Sequence, residues 1–330
     1  MSFSYGNCIK IQLGGGSHEA AVSVSVEGIP AGTAIDLAAV QAMLDRRAPG
    51  RSELSTERKE ADIPEILSGI ANGIATGEVI AARFVNSDIR PQDYERFIPR
   101  PSHGDYTAWV KAGGEGPIPS GGATSARMTV GLVFAGAICA QLLEKHGITI
   151  RAEAKLPQAA ARAPEGDSFG GFVRCIAEGL PVGLGESYFG GLESRISEAV
   201  FAIPAVKGIE FGAGFASAEM LGSEYNDAFY YDLDGNVKTR TNHCGCILGG
   251  MADGMPLVFR AVFKPTPSIG LEQDSVDLKT KQNVRLTVRG RHDKCLVPRA
   301  AVVVEAVTAI VLLDMMTEEG RIEWKNSEND

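Results

Sequence analysis

A mixed α+β fold, built as one domain over residues 1–330, is what the sequence predicts, and three observations predict it. Strand-like and helix-like segments do not alternate in the strict pattern of a doubly wound sheet. Glycine and proline, 39 and 16 of them, punctuate the whole chain without one clear linker, and no segment recurs at a fixed period. The 330 residues, 44% hydrophobic and 22% charged, match the composition of globular domains and suffice for one large core.

Taken in order, residues 9–13 and 21–26 are rich in β-branched side chains and read as strands. The tract Gly14, Gly15, Gly16 between them is expected to be a glycine-rich loop presenting Ser17 and His18. Residues 36–45 place Leu37, Val40, Met43 and Leu44 at helical spacing, with Asp36 positioned as the cap. Residues 129–146 are long, apolar and alanine-rich with Gly147 as a stop, which predicts a helix buried on most sides. A strand is expected over 148–154, a helix over 193–201, and a hairpin over 229–241 with Asp234-Gly235 at its turn. The longest apolar run, 300–316, is broken by Glu305 and Asp314 and falls short of the ~20 residues of a membrane span, so a buried helix is predicted.

The net charge of −9 argues against nucleic-acid binding, which needs a basic face, yet a local basic cluster could still hold a small anion. Residues 1–12 show no secretory pattern, so a cytoplasmic protein is expected, with no membrane association. The six cysteines are scattered apart from Cys244 and Cys246 and are expected to be reduced.

Several loops carry side chains suited to chemistry. Arg46, Arg47, Arg51, Arg58 and Lys59 surround a Pro-Gly turn, where guanidinium forks could clamp a multiply charged anion; a solvated loop with internal Glu partners is the alternative. His103 and Asp105 lie in a proline-stiffened loop where imidazole could act as an acid near neutral pH. Lys264-Pro-Thr-Pro-Ser268 offers a cation and hydroxyls on a stiff backbone, and Arg291, His292 and Asp293 stand side by side. The segment 241–246 invites a zinc reading, but no second ligand pair has suitable spacing, so no metal is expected. Asp232-Leu-Asp-Gly-Asn236 imitates a calcium loop whose twelfth position is His243 rather than Glu, which favours a hairpin turn. Gly212-Ala-Gly-Phe-Ala-Ser217 after a strand-like segment resembles half of a dinucleotide fingerprint, but the third glycine is missing. Together these loops describe an anion-handling acid/base site.

Read in order, the motifs resemble the chorismate synthase family. The resemblance rests on Gly16-Ser-His18, Arg46-Arg-Ala-Pro-Gly-Arg-Ser52, Leu54-Ser-Thr-Glu-Arg-Lys-Glu60, Pro101-Ser-His-Gly-Asp-Tyr-Thr107 and Ser125-Ala-Arg127. It continues through Ala205-Val-Lys-Gly-Ile-Glu210, Ile247-Leu-Gly-Gly250, Lys264-Pro-Thr266 and Gly290-Arg-His-Asp293. Collinear matches from end to end are far more specific than any one of them.

The resemblance implies a β-α-β sandwich, antiparallel sheets around central helices, assembled as a homotetramer. It implies a 1,4-elimination of phosphate from 5-enolpyruvylshikimate 3-phosphate to give chorismate, with reduced FMN as cofactor and NADPH involved at most indirectly, in reducing the flavin. Carried over by position, His18 would protonate the departing phosphate, His103 the reduced flavin, and Asp293 would be the base working through flavin N5. Ser17, Arg47, Arg127 and Arg291 would hold the substrate. Flavin contacts would come from Ala123, Thr124, Ser125, Pro204, Ala205, Gly249, Lys264, Pro265, Thr266, Pro267, Ser268 and Arg291. The chain departs from the family pattern at Gly16, usually Glu or Gln, at Glu53, often Arg, and at Ala123, often Arg or another polar residue. A stretch common to the family is missing between Pro157 and Gly166. One alternative keeps the fold but binds flavin or substrate poorly; another is an NAD-dependent oxidoreductase built on residues 212–217.

Overall fold

Two antiparallel sheets enclose a pair of long apolar helices in the computed structural model, which describes residues 3–50, 54, 60–87, 95–119, 122–288, 293–322 and 324. The helices are α1 (Leu37–Arg47), α2 (Asp105–Lys111), α3 (Thr129–Lys145), α4 (Leu192–Phe201), α5 (Gly222–Tyr225) and α6 (Val297–Glu318). The first sheet runs in the order Phe3–Tyr5, Lys10–Gly15, Ala21–Glu27, Ile80–Val85, Glu65–Ser68. The second runs Val206–Phe211, Leu257–Phe263, Gly171–Glu178, Thr149–Lys155. Helix α3 lies on the first sheet, α6 lies on the second, and the two helices pack against each other. Layer by layer this is the mixed α+β body that the sequence predicts and the sandwich that the resemblance implies.

Alternation explains the sheets. In Ala21–Glu27, Val22, Val24 and Val26 are buried while the residues between them are more exposed, and Ile80, Ala82 and Phe84 repeat the pattern next door. Helices α3 and α6 are buried nearly all round, so neither shows the one-sided stripe of a surface helix. Both are long and apolar enough to cross a membrane, but 78% and 94% of the relevant windows are buried within the fold, which makes them its core. The two acidic residues inside α6 are buried and paired. Glu305 accepts from both ends of the Arg46 fork at 2.7 and 2.9 Å and from the Ala152 N–H at 2.7 Å. Asp314 accepts the backbone N–H groups of Asn7, Cys8 and Ile9, and Arg195 at 2.7 Å.

Close helix contact depends on Gly136 of α3, where an added Cβ would lie 2.4 Å from the Cα of Ala306 in α6. Gly136→Ala is therefore expected to lower unfolding free energy by ~1–3 kcal/mol through overpacking. Gly222→Ala, with open space at its Cβ, should stay within about 0.5 kcal/mol in the same denaturant titration. Equal effects would remove the account of the helix contact.

Two sequence expectations are corrected. Gly14 and Gly15 belong to a strand, paired with Ser23 and Val22, so only Gly16 onward forms the loop; Gly15, at φ +82°, adopts a backbone that glycine favours. The last helix is longer than 300–316, because Pro298 is tolerated in its first turn. The expected hairpin is present, with strands Phe229–Tyr231 and Val237–Thr239 joined by five residues that include Asp234-Gly235. The Asp232 carboxylate closes that connection by accepting from the N–H groups of Asp234 and Asn236 at 3.0 and 2.8 Å. The dinucleotide-like segment is excluded by topology: Val206–Phe211 pairs antiparallel with Leu257–Phe263, and a short 3-10 turn, Gly214–Glu219, follows where a crossover helix would be needed.

Candidate active site

At the C-terminal end of α1 two neighbouring arginines diverge. Arg46 reaches out to Glu305, while Arg47 turns inward and is only 2% exposed. Its Nε donates to Asp62 Oδ2 at 2.7 Å, with Nη2 also 2.7 Å from that oxygen; Nη1 donates to the Ala126 carbonyl and to Thr129 Oγ1, both at 3.2 Å. Burial pushes the guanidinium down to about 10, against the pull of Asp62 and with the help of neighbouring Arg299 and Arg127. Arg127 enters from the short turn before α3, where Ser125 Oγ caps its N–H. Its Nη1 donates to Asp62 Oδ1, and its Nε donates to Asn86 Oδ1 at 2.8 Å. Two arginines thus share one carboxylate, which leaves the triad with a net positive charge.

A small cavity adjoins Arg47, lined also by Thr129, Pro204, Phe263, Arg299 and Val303. The N-terminal ends of α3 and α6 both reach it, and the positive ends of two long helices add to the arginines to favour an anion.

Across the site, Asp105 accepts Arg100 through both ends of the fork, at 2.7 and 2.9 Å, and lies 2.7 Å from His103 Nδ1. Burial alone would raise its pKa, but hydrogen bonds from Arg100 and His103 outweigh it and hold the carboxyl well below the usual range. Arg100 Nη2 is also 3.1 Å from His103 Nδ1; the ionised carboxylate beside that nitrogen favours Nδ1–H, leaving Nε2 as the working atom. The Lys264–Ser268 turn packs on this loop: Lys264 Nζ donates to the Ser102 carbonyl, and Arg100 Nη1 donates to Ser268 Oγ at 3.1 Å. Burial, and then Lys207, lower the Lys264 pKa.

Asp293 completes the ring. Thr266 Oγ1 donates to its carbonyl at 2.7 Å, and Arg299 Nη2 donates to its Oδ2 at 2.6 Å. Ser17 is buried and donates its N–H to the Gly122 carbonyl at 3.2 Å, while Asn86 Nδ2 donates to the Gly16 and Glu19 carbonyls at 3.0 and 2.8 Å, fixing the loop that carries His18. Gly16 is closely packed: a Cβ there would lie 3.2 Å from the Gly122 Cα. Thr124 in turn neighbours Gly104, beside His103. Ala205 sits at φ +74° and accepts the Lys264 N–H at 2.9 Å, and Asp62 at φ +50° and Ser102 at φ +56° also adopt left-handed backbone.

A continuous chain of contacts therefore joins the segments of Ser17, His18, Arg47, His103, Thr124, Ser125, Arg127, Pro204, Ala205, Lys264, Thr266, Ser268 and Asp293, with Pro265 and Pro267 inside the Lys264 turn. Gly249 is placed elsewhere, in the turn between Ile247–Leu248 and Met251–Ala252, where Ser187 Oγ donates to its carbonyl at 3.4 Å. Arg291 and His292 lie outside the described residues, as do Arg51, Glu53, Arg58, Lys59 and the Ala123 side chain. Sequence reasoning missed Asp62, Asn86, Arg100 as a partner of Asp105, and Arg299. Each acts through a partner distant in sequence or placed by a turn, and no spacing rule marks it; the one usable signal was that buried arginines require carboxylates. Among the described residues no group of three or more His, Cys, Asp or Glu side chains could hold a metal ion.

The family model described as chorismate synthase matches the chain in two overlapping segments, residues 9–161 and 155–317. A chorismate synthase of Dehalococcoides mccartyi is 44% identical over 98% of this chain and 98% of its own length. One of Chitinophaga pinensis is 45% identical over 96% and 97%, and one of Methanosarcina barkeri 41% identical over 96% and 97%. A solved structure, a crystal structure of chorismate synthase, superposes with a TM-score of 0.70 at 23% identity, covering 96% of this chain and 93% of the other.

Proposed function

We propose that this chain, which belongs to the chorismate synthase family, carries out its 1,4-elimination of phosphate from 5-enolpyruvylshikimate 3-phosphate at the cluster described above. The activity is that of a carbon–oxygen lyase in aromatic amino-acid biosynthesis. The observation that carries the site assignment is the chain of contacts from Arg127 and Arg47, beside two helix N-termini, through Arg299 to Asp293, and on through the Lys264–Ser268 turn to the loop of His103.

In this reading Arg127, Arg47, Ser17 and Arg291 hold the carboxylates and phosphate of the substrate, within an electropositive wall that favours multiply charged anions. His18, on a loop tied down by Asn86, supplies a proton to the departing phosphate. His103, oriented through Nδ1 by Asp105, holds a proton on the opposite side. Asp293, fixed through its own backbone by Thr266, takes up the proton lost from C6. That proton is not acidic, so a carboxylate alone would face a high barrier.

The donor set fits reduced FMN. Lys264 provides a cation, Thr124, Ser125, Thr266 and Ser268 provide hydroxyls, and the stiff 264–268 turn and the 122–125 backbone provide polar edges for a ring and a phosphate. Reduced flavin held by these residues would supply a transiently lent electron for phosphate departure, with no net redox. Ala123, Pro204, Ala205, Pro265 and Pro267 complete the proposed contacts; Gly249, remote from the cluster within one chain, would need a neighbouring copy to contribute. NADPH enters only indirectly, by reducing the flavin beforehand. We place the enzyme in the cytoplasm as a single-domain protomer of a homotetramer. Exposed Phe189, Phe215, Phe229, Tyr231 and Leu233 provide apolar surface for such an assembly.

Anaerobic incubation with chemically reduced FMN and 5-enolpyruvylshikimate 3-phosphate should yield chorismate and phosphate in equal, flavin-dependent amounts. No product from demonstrably folded protein would favour a relative that keeps the fold without the activity.

A further inference from the structure

We infer that Asp62 is the positioning residue of the anion site: one buried carboxylate that aims both substrate arginines before any ligand arrives. The inference rests on the proposed roles of Arg47 and Arg127. Asp62 has a side chain of 0% exposure, and its two oxygens are divided between the arginines, Oδ2 to Arg47 and Oδ1 to Arg127. Other N–H groups of the two forks go to neutral acceptors, Ala126 and Thr129 for Arg47, Asn86 and Val85 for Arg127, and each fork keeps at least one N–H beyond these bonds. An arginine held in this way loses little rotamer freedom on binding, so its contact with an anion is gained more fully. Charge matters as well as shape. Two guanidinium groups and one carboxylate sum to a single positive charge, enough to draw an anion while avoiding an uncompensated buried pair of like charges.

The backbone makes the test clean. Asp62 sits at φ +50°, a conformation that Asp and Asn tolerate best among residues with a side chain, so Asp62→Asn keeps the turn. The amide offers one oxygen and turns an N–H₂ toward the other arginine, which must then move. Asp62 touches no reacting atom, so the loss should fall on binding rather than on chemistry. KM for 5-enolpyruvylshikimate 3-phosphate is expected to rise about ten- to a hundredfold with kcat reduced less than about threefold. In an Arg127→Gln background the same change should raise KM by a clearly smaller factor, because the two residues act as one unit. Inorganic phosphate, titrated calorimetrically into the holoenzyme, should bind correspondingly weaker.

A folded Asp62→Asn enzyme with unchanged KM and unchanged phosphate affinity would overturn the inference. Should Asp62→Asn fail to fold, Asp62→Glu keeps the charge and lengthens the reach; at least a threefold rise in KM is expected, and wild-type KM would overturn the inference. If the wild-type holoenzyme shows no turnover, the functional reading fails; the phosphate titration still decides whether Asp62 positions the arginines.

Discussion

Replacing Asp293 with Asn is expected to lower kcat by about 10²–10⁴-fold while leaving KM within a few-fold and the fold intact. Asn has nearly the shape of Asp and keeps a carbonyl oxygen able to accept from Arg299, which in the native protein donates at 2.6 Å. Position is preserved independently of the side chain, because Thr266 Oγ1 holds the backbone carbonyl at residue 293, while Ser168 Oγ donates to the Thr266 carbonyl at 2.7 Å. The change removes proton affinity and the charge that pairs with Arg299, leaving that guanidinium an amide oxygen as its acceptor. In the proposed mechanism the base is then missing at the step in which C6 loses its proton, while the proposed substrate arginines are left in place. Rapid-quench measurement with saturating reduced flavin would separate chemistry from binding. A normal single-turnover rate in Asp293→Asn would take the base assignment away from Asp293.

The site was legible in the sequence as pieces and illegible as a network. His18, His103, Arg47 and Asp293 could be named because glycines, prolines or arginines mark the segments around them, and Arg127 through the family resemblance of Ser125-Ala-Arg127. Their supports could not be named. Asp62 follows the basic loop in an ordinary stretch, and its meaning appears only when the strand order brings residue 62 against residues 47 and 127. Arg299 lies in the first turn of a helix that periodicity presents as uniformly apolar, and it becomes significant when α6 is packed so that Arg299 faces Asp293 and the cavity by Arg47. Partner choice of this kind is set by tertiary packing, which a local pattern does not encode.

Legibility of the fold follows the same division. Helices α1 and α3 were predictable to within a residue or two at their ends because cap and stop residues mark them: Asp36 does accept the N–H groups of Ala38 and Ala39, and the α3 helix ends just before Gly147. The glycine tract misled because Gly15 supports a strand end as readily as a loop, and a ladder pairing with Val22 decides between them. Helix α6 was under-measured because only its apolar run, residues 300–316, was legible, while Pro298, Arg299, Thr317 and Glu318 extend it at the ends; within that run Glu305 and Asp314 read as interruptions. In the folded protein they are buried polar anchors, each satisfied by groups that arrive from elsewhere in the chain.

Asp314 is where that anchoring should cost most to remove. Its carboxylate is fully buried and accepts from the N–H groups of Asn7, Cys8 and Ile9 at 2.7–3.1 Å and from Arg195 at 2.7 Å. Asp314→Ala strands three backbone donors and one guanidinium, which no nearby side chain can satisfy as fully. Breaking a buried charged pair by removing one partner costs about 3–5 kcal/mol, a large part of a total stability of ~5–15 kcal/mol. Asp314→Asn should fall between, since one oxygen can still serve Cys8 and Ile9 while the amide opposes Arg195. Glu318 is the internal control. It bonds the same Arg195 at 3.1 Å and the Asn7 side chain, but its side chain is 42% exposed, so Glu318→Ala should cost no more than about 1 kcal/mol. Thermal melts of the three variants should therefore rank Asp314→Ala lowest, Asp314→Asn next and Glu318→Ala close to wild type. An Asp314→Ala melt no lower than that of Glu318→Ala would mean that the N-terminal strands are held by their apolar face alone.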